Sequence, residues 1–115
     1  MAITQAMCTS FKKELMTATH NFTNSSGNTF RLALYTSSAS LAASTTAYTT
    51  SNEVSGTGYT AKGAALTNVT PTSSGTTALT DFSDVTFSSA TITANGAMIF
   101  NDSASGDPAV VILAF

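Results

Sequence analysis

The sequence predicts a mainly β domain with one N-terminal amphipathic helix, built as an antiparallel β-sandwich or small barrel. Three observations carry this prediction. Of 115 residues, 38 are Ser or Thr and only 10 are charged, and β-branched Thr suits a pleated sheet with one wet face. Phe30, Leu32 and Leu34 alternate with Arg31, Ala33 and Tyr35, the period of a half-buried strand. The run Val110-Val111-Ile112-Leu113 is continuously apolar, as expected of a strand covered on both faces. With 43% hydrophobic residues and a net charge of −2, the composition is that of a folded chain rather than a disordered one. The length fits a single domain, 1–115.

Taken in order, residues 3–22 read as the helix, because Cys8, Phe11, Leu15, Ala18 and Phe22 recur at spacings of three and four and form one stripe. Asn24-Ser25-Ser26-Gly27-Asn28 supplies its stop. A β domain follows over 29–115, opening with the strand at Thr29–Thr36. Segment 37–58 has no clear period and is long for a connection, so it is expected to project and to make contacts. Shorter strands are expected at Tyr59–Lys62, Ala64–Thr70 and Ala78–Phe87, with Pro71–Gly75 as turn material. Ala90–Phe100 and Ala109–Phe115 close the chain as a hairpin around the loop Asn101–Pro108. An apolar strand at Phe115 needs cover, either from a neighbouring subunit or from chain beyond this point.

Charge and cysteine content exclude several functions. Residues 1–62 sum to +2 and residues 63–115 to −4, with none of the clustered Lys/Arg that nucleic-acid binding requires. The single cysteine, Cys8, allows no intramolecular disulfide. Neither a secretory signal pattern nor an apolar run of membrane-spanning length is present. Synthesis in the cytoplasm and protein partners are therefore expected.

Nothing in the sequence assembles a catalytic constellation, and neither enzyme activity nor a cofactor is expected. Cys8 and His20 lie more than three helical turns apart on the predicted helix; Cys8 reads as a small buried apolar residue and His20 as a helix-end histidine. Ser10-Phe11-Lys12-Lys13 fits S-x-x-K, but the companion motifs of serine acyl enzymes are missing. Gly56-Thr57-Gly58-Tyr59-Thr60-Ala61 fits a dinucleotide fingerprint, but sits before a predicted strand instead of a helix. Asp102 and Asp107 are the candidate calcium ligands of the last hairpin loop. Their spacing is not that of an EF-hand, and a solvated acidic turn is the plainer reading.

The opening Met1-Ala-Ile-Thr-Gln-Ala-Met-Cys-Thr-Ser-Phe-Lys-Lys-Glu-Leu15 is followed by His20-Asn-Phe22, Phe30-Arg-Leu-Ala-Leu-Tyr-Thr36, Asn52-Glu-Val-Ser-Gly-Thr-Gly-Tyr59 and Ala90-Thr-Ile-Thr-Ala94. Together these blocks resemble a family of small virion proteins encoded among the structural genes of tailed double-stranded DNA bacteriophages. The resemblance runs through nearly the whole chain and is most specific at the N-terminus. It implies a β-rich structural protein of the particle, a capsid decoration or cement protein. Sequences of that family continue past the position of Phe115 with a Gly/Asp turn and a further apolar strand.

The expected partners are the major capsid protein, copies of the chain itself, or both, in a homo-oligomer. Phe11, Leu15, Tyr35, Tyr48, Val54 and Tyr59 are the contact candidates, since large apolar and aromatic residues dominate interface energies. Core packing competes with that role at each position, most strongly at Phe11 and Leu15. The alternative is a tail-associated or adhesive β-sandwich that uses its Ser/Thr/Asn loops on carbohydrate or another host surface.

Overall fold

The computed structural model describes residues 2–115. It is mainly β, antiparallel in its sheets, with one short helix, as the sequence predicts. In chain order the elements are β1 (Ala6–Met7), α1 (Thr9–Met16), β2 (Phe30–Tyr35), β3 (Ala64–Ala65), β4 (Asn68–Ser74), β5 (Thr77–Phe82), β6 (Gly96–Asn101) and β7 (Ala109–Ala114). Five of them form one sheet in the order β1-β7-β6-β2-β3, and β4 and β5 form a separate two-stranded sheet.

The central strands are the ones the sequence marks most clearly. Every residue of β6 is buried, and β6 pairs with β2 from Phe30↔Asn101 to Tyr35↔Gly96 and with β7 on its other side. Both faces of the sheet are covered. Ala33 and Met98, a register pair, belong to the larger core with Phe11, Leu41 and Phe100. The next pair, Leu34 and Ala97, turns to the opposite face and packs with Val54, Phe87 and Ile92.

The helix is much shorter than 3–22. Residues before it form β1, which pairs Ala6 with Ile112 and Met7 with Val111. The flanking groups extend the same edge: Cys8 N donates to the Val110 carbonyl at 3.0 Å and Ala114 N to Gln5 Oε1 at 3.3 Å. The apolar strand β7 thus receives its cover from the chain's own N-terminal segment. Satisfying that row of backbone groups outweighs a helical turn that has no side-chain cap at Cys8. At the other end, Ala18 takes a left-handed φ of 60°, and Phe22 reaches the core from extended chain.

Segment 37–58 does not project; it wraps the sheet. Ala39, Leu41 and Val54 are buried, and the backbone is tied at several places. Leu41 exchanges hydrogen bonds with Ala2 and Thr4, Val54 N donates to the Leu34 carbonyl, and Tyr48 N donates to the Asp107 carbonyl. The segment has no period because it serves several edges in turn. The following turn approaches β2 so closely that a Cβ on Gly63, at φ +66°, would lie 1.8 Å from the Leu32 carbonyl oxygen.

The element that projects is the β4–β5 hairpin. From Val69 to Asp81 every residue is exposed, although strands of a folded body normally bury one face. Pro71, expected in a turn, lies within β4 where the register shifts between Val69 and Thr72, a bulge that tolerates its missing N–H. The turn itself is formed at Gly75, with φ +61°.

Candidate functional site

The hairpin is an arm with a rigid base. Asn68 and Phe82 face each other across the first rung, and both turn inward. Phe82 packs on Phe22 and Phe30, at ring centroid distances of 6.1 and 5.7 Å. Asn68 Nδ2 donates to the carbonyls of Thr23 and Asn28 at 3.2 and 2.9 Å. Asn24 answers from the facing loop, its N–H donating to Thr70 Oγ1 and its Nδ2 to the Asn68 carbonyl. Beyond this base nothing in the described chain covers the arm.

Alternation gives the arm two different faces. Val69 and Asp81 form the rung after Asn68 and Phe82, so they point away from the core. Leu79, paired with Thr72, lies on that same outward face. Val69, Thr70, Thr72, Leu79, Thr80 and Asp81 line a shallow groove of about 330 Å³ there. Val69 is 43% exposed and Leu79 48%, and the two share one face of the arm. Chemically, the arm offers two apolar anchors, hydroxyl groups, one carboxylate and two strand edges.

The predicted contact residues fall differently. Phe11, Tyr35 and Val54 belong to the interior. Tyr35 donates to the Thr49 carbonyl at 2.6 Å, and burial holds its phenol above the ordinary range. Leu15, by contrast, is 47% exposed and Met16 82%, so the helix presents an apolar patch to solvent. Tyr48 and Tyr59 are half-buried and converge on Glu53, whose Oε1 accepts from Tyr48 and Oε2 from Tyr59, both at 2.5 Å. Lys62 N also donates to Oε2 at 2.8 Å. Tyr59 in turn accepts from Leu34 N at 2.9 Å, so its hydroxyl stands in for a missing neighbour strand at the β2 edge. Burial first, and the Glu53 carboxylate second, push Tyr48 up to about 12 and raise Tyr59 as well.

Asp102 and Asp107, the candidate calcium ligands, share a cation supplied by the chain. Lys62 Nζ lies 3.0 Å from a carboxylate oxygen of each, and hydrogen bonding to both raises its pKa. That ammonium also sits 5.7 Å from the Tyr48 ring centroid, and Tyr48 stacks on Phe100. Among the described residues, no three His, Cys, Asp or Glu side chains gather into a metal-binding group.

The remaining sequence motifs also find structural places. Cys8 is fully buried, with burial raising its thiol pKa. His20 lies beyond the helix, between Glu14 and Asn101, with Nε2 2.9 Å from Glu14 Oε1 and Nδ1 3.0 Å from Asn101 Nδ2. Among the described residues no hydrogen bond joins Ser10 to Lys13, and Ser10 Oγ is buried without a partner. Gly56 and Gly58 serve loop geometry next to a bridge between Thr57 and Thr91, with no helix following them.

No family model, curated protein or solved structure matches this chain. Its site is therefore read from its own geometry. Val69 and Leu79 are not among the contact residues that the sequence predicts, although a signal is present: they are the large aliphatic side chains in a 15-residue stretch, 68–82, otherwise dominated by Thr and Ser.

Proposed function

We propose that this protein is a non-enzymatic structural component of a tailed-phage virion, a capsid decoration or cement protein that stabilises the head through contacts with capsid subunits and with copies of itself. The observation that carries the reading is the arm at 68–82: a hairpin anchored at its base and bare on both faces beyond it. An isolated two-stranded sheet is marginal in water, so such an element gains order when a partner covers it. Val69 and Leu79 are already about half covered, so burying the remainder would contribute roughly 0.7–1.5 kcal/mol each. The family resemblance of the N-terminal block supplies the virion setting. A body with few charges suits close packing of many copies.

A cleft of about 230 Å³ at the base of the arm, lined by Asn24, Ser25, Asn28, Thr29 and Asn68 among others, favours a second reading, a tail-associated adhesive module that binds carbohydrate. No aromatic ring lines it to stack on a sugar. Quantitative mass spectrometry of purified particles tests the proposal. A copy number comparable to that of the capsid subunits is expected. A handful of copies per particle would favour the adhesive reading, and absence from particles would overturn both.

A further inference from the structure

Most charged groups of the chain are already paired or hydrogen-bonded. Glu14 meets His20, Lys62 meets Asp102 and Asp107, Glu53 accepts two tyrosine hydroxyls, and Arg31 donates to the carbonyls of Lys62 and Gly63. Arg31 and Glu53 are held by these hydrogen bonds without an ion pair; the other four side chains with no ion-pair partner among the described residues are Lys12 and Lys13 on α1, Asp81 on the rung after the arm's base, where Oδ1 accepts only from Phe82 N, and Asp84 past the end of β5. All four are exposed. The two cations and two anions match in number and are opposite in sign; Lys12 and Lys13 adjoin an exposed apolar patch on α1, Asp81 adjoins one on the arm, and Asp84 follows three residues later. On α1, Lys12, Leu15 and Met16 follow the i, i+3, i+4 spacing of one helix face, with Lys13 beside Met16. On the arm, Asp81 shares its face with Val69 and Leu79.

We propose that the α1 face of one copy docks on the outward arm face of a second copy, with Leu15 and Met16 against Val69 and Leu79, and the lysines against Asp81 and Asp84. The contact deepens the reading of the arm as a contact element and rests on it in that respect. It joins two different patches, so it is head-to-tail and propagates from copy to copy into a ring or an open row. Opposite charge at the edge of a small apolar contact fixes partner and register more than affinity, and its screening makes association salt-dependent.

Sedimentation velocity of the purified chain, at low and high salt and over a range of concentrations, tests this. The wild type is expected to self-associate at low salt and to dissociate as salt rises. Reversing one side, Lys12→Glu with Lys13→Glu or Asp81→Lys with Asp84→Lys, is expected to weaken association by about tenfold or more. Combining all four reversals is expected to restore it, since the signs again oppose. Met16→Cys combined with Leu79→Cys is expected to give disulfide-linked multimers on oxidation, with buried Cys8 left reduced. A wild type that stays monomeric at low salt, or association indifferent to the reversals, or a four-fold variant that is not restored, would overturn the pairing. Particle copy number is read separately: a monomer in solution that is abundant in particles removes the copy-to-copy contact and leaves the virion reading standing.

Discussion

Replacing Asn101 with Ala is expected to destabilise the fold by about 3–5 kcal/mol and to lower Tm by more than about 10 °C. Asn101 is fully buried at the end of β6, and all of its side-chain capacity is used. Nδ2 faces His20 Nδ1 and Asn28 Oδ1, both at 3.0 Å. Oδ1 accepts from Ser103 N and Ala104 N, at 3.0 and 3.2 Å, and so closes the turn that leads to β7. One amide therefore joins the central strand, the last hairpin and the chain that carries Asn28 toward β2. Ala leaves His20 Nδ1 without its donor and Ser103 N and Ala104 N without their acceptor, while Asn28 Oδ1 keeps Asn21 N; each buried group left unsatisfied costs about 1–3 kcal/mol. The comparison substitution is Asn21→Ala, which removes an exposed side-chain acceptor for Thr23 N and should cost no more than about 1 kcal/mol. Thermal unfolding followed by circular dichroism distinguishes the two.

Replacing Glu53 with Gln is expected to cost about 2–3 kcal/mol and to change the response to alkaline pH. The carboxylate accepts three hydrogen bonds, from Tyr48, Tyr59 and Lys62 N; the amide offers one acceptor and turns a donor toward groups that are themselves donors. Tyr48→Phe removes one of these bonds and keeps the ring on Phe100, so about 1 kcal/mol is expected. In the unfolded chain both phenols lose their protons near pH 10, whereas the folded chain holds Tyr48 to about 12 and Tyr59 higher than usual. Folded values above unfolded ones mean that the unfolded state sheds protons first as pH rises. Stability is thus complete below about pH 10 and declines as pH rises toward 12. With Glu53→Gln the decline should be shallower but not absent, because burial is the larger cause of both shifts. Urea titrations across this range give the slope for each variant.

These two residues also show where the sequence was readable and where it was not. The alternation at Phe30–Tyr35 and the apolar run of β7 describe strands whose side chains face a core repeatedly, so their period is visible in one chain. Asn101 and Glu53 are single polar residues whose partners lie in distant segments; no local pattern distinguishes them from solvated Asn or Glu. The stripe from Cys8 to Phe22 holds only in part: Cys8, Phe11 and Phe22 are buried, while Leu15 and Ala18 are exposed. It arises from a strand, a two-turn helix and an extended segment, and the need to cover β7 is a tertiary fact that helical spacing does not contain. Lack of pattern predicts projection at 37–58, yet a chain that serves three edges in succession has no period either. The arm carries the commoner pattern of short strands and a turn, and only its missing second layer sets it apart. Leu15 reads in the sequence as part of the helix stripe and as a contact candidate; its exposure at the helix end leaves it free for the proposed copy-to-copy pairing.

The central claim is that the arm at 68–82 is bare in the free protein and covered in the assembled particle. Amide hydrogen exchange, measured on the free chain and on purified particles, tests it most directly. The account predicts fast exchange across Val69–Asp81 in the free chain, beside slow exchange at Leu34, Val54 and Ile112, and marked slowing of the arm alone on assembly. An arm as protected as β6 in the free protein, or one that exchanges equally fast in the particle, would contradict it.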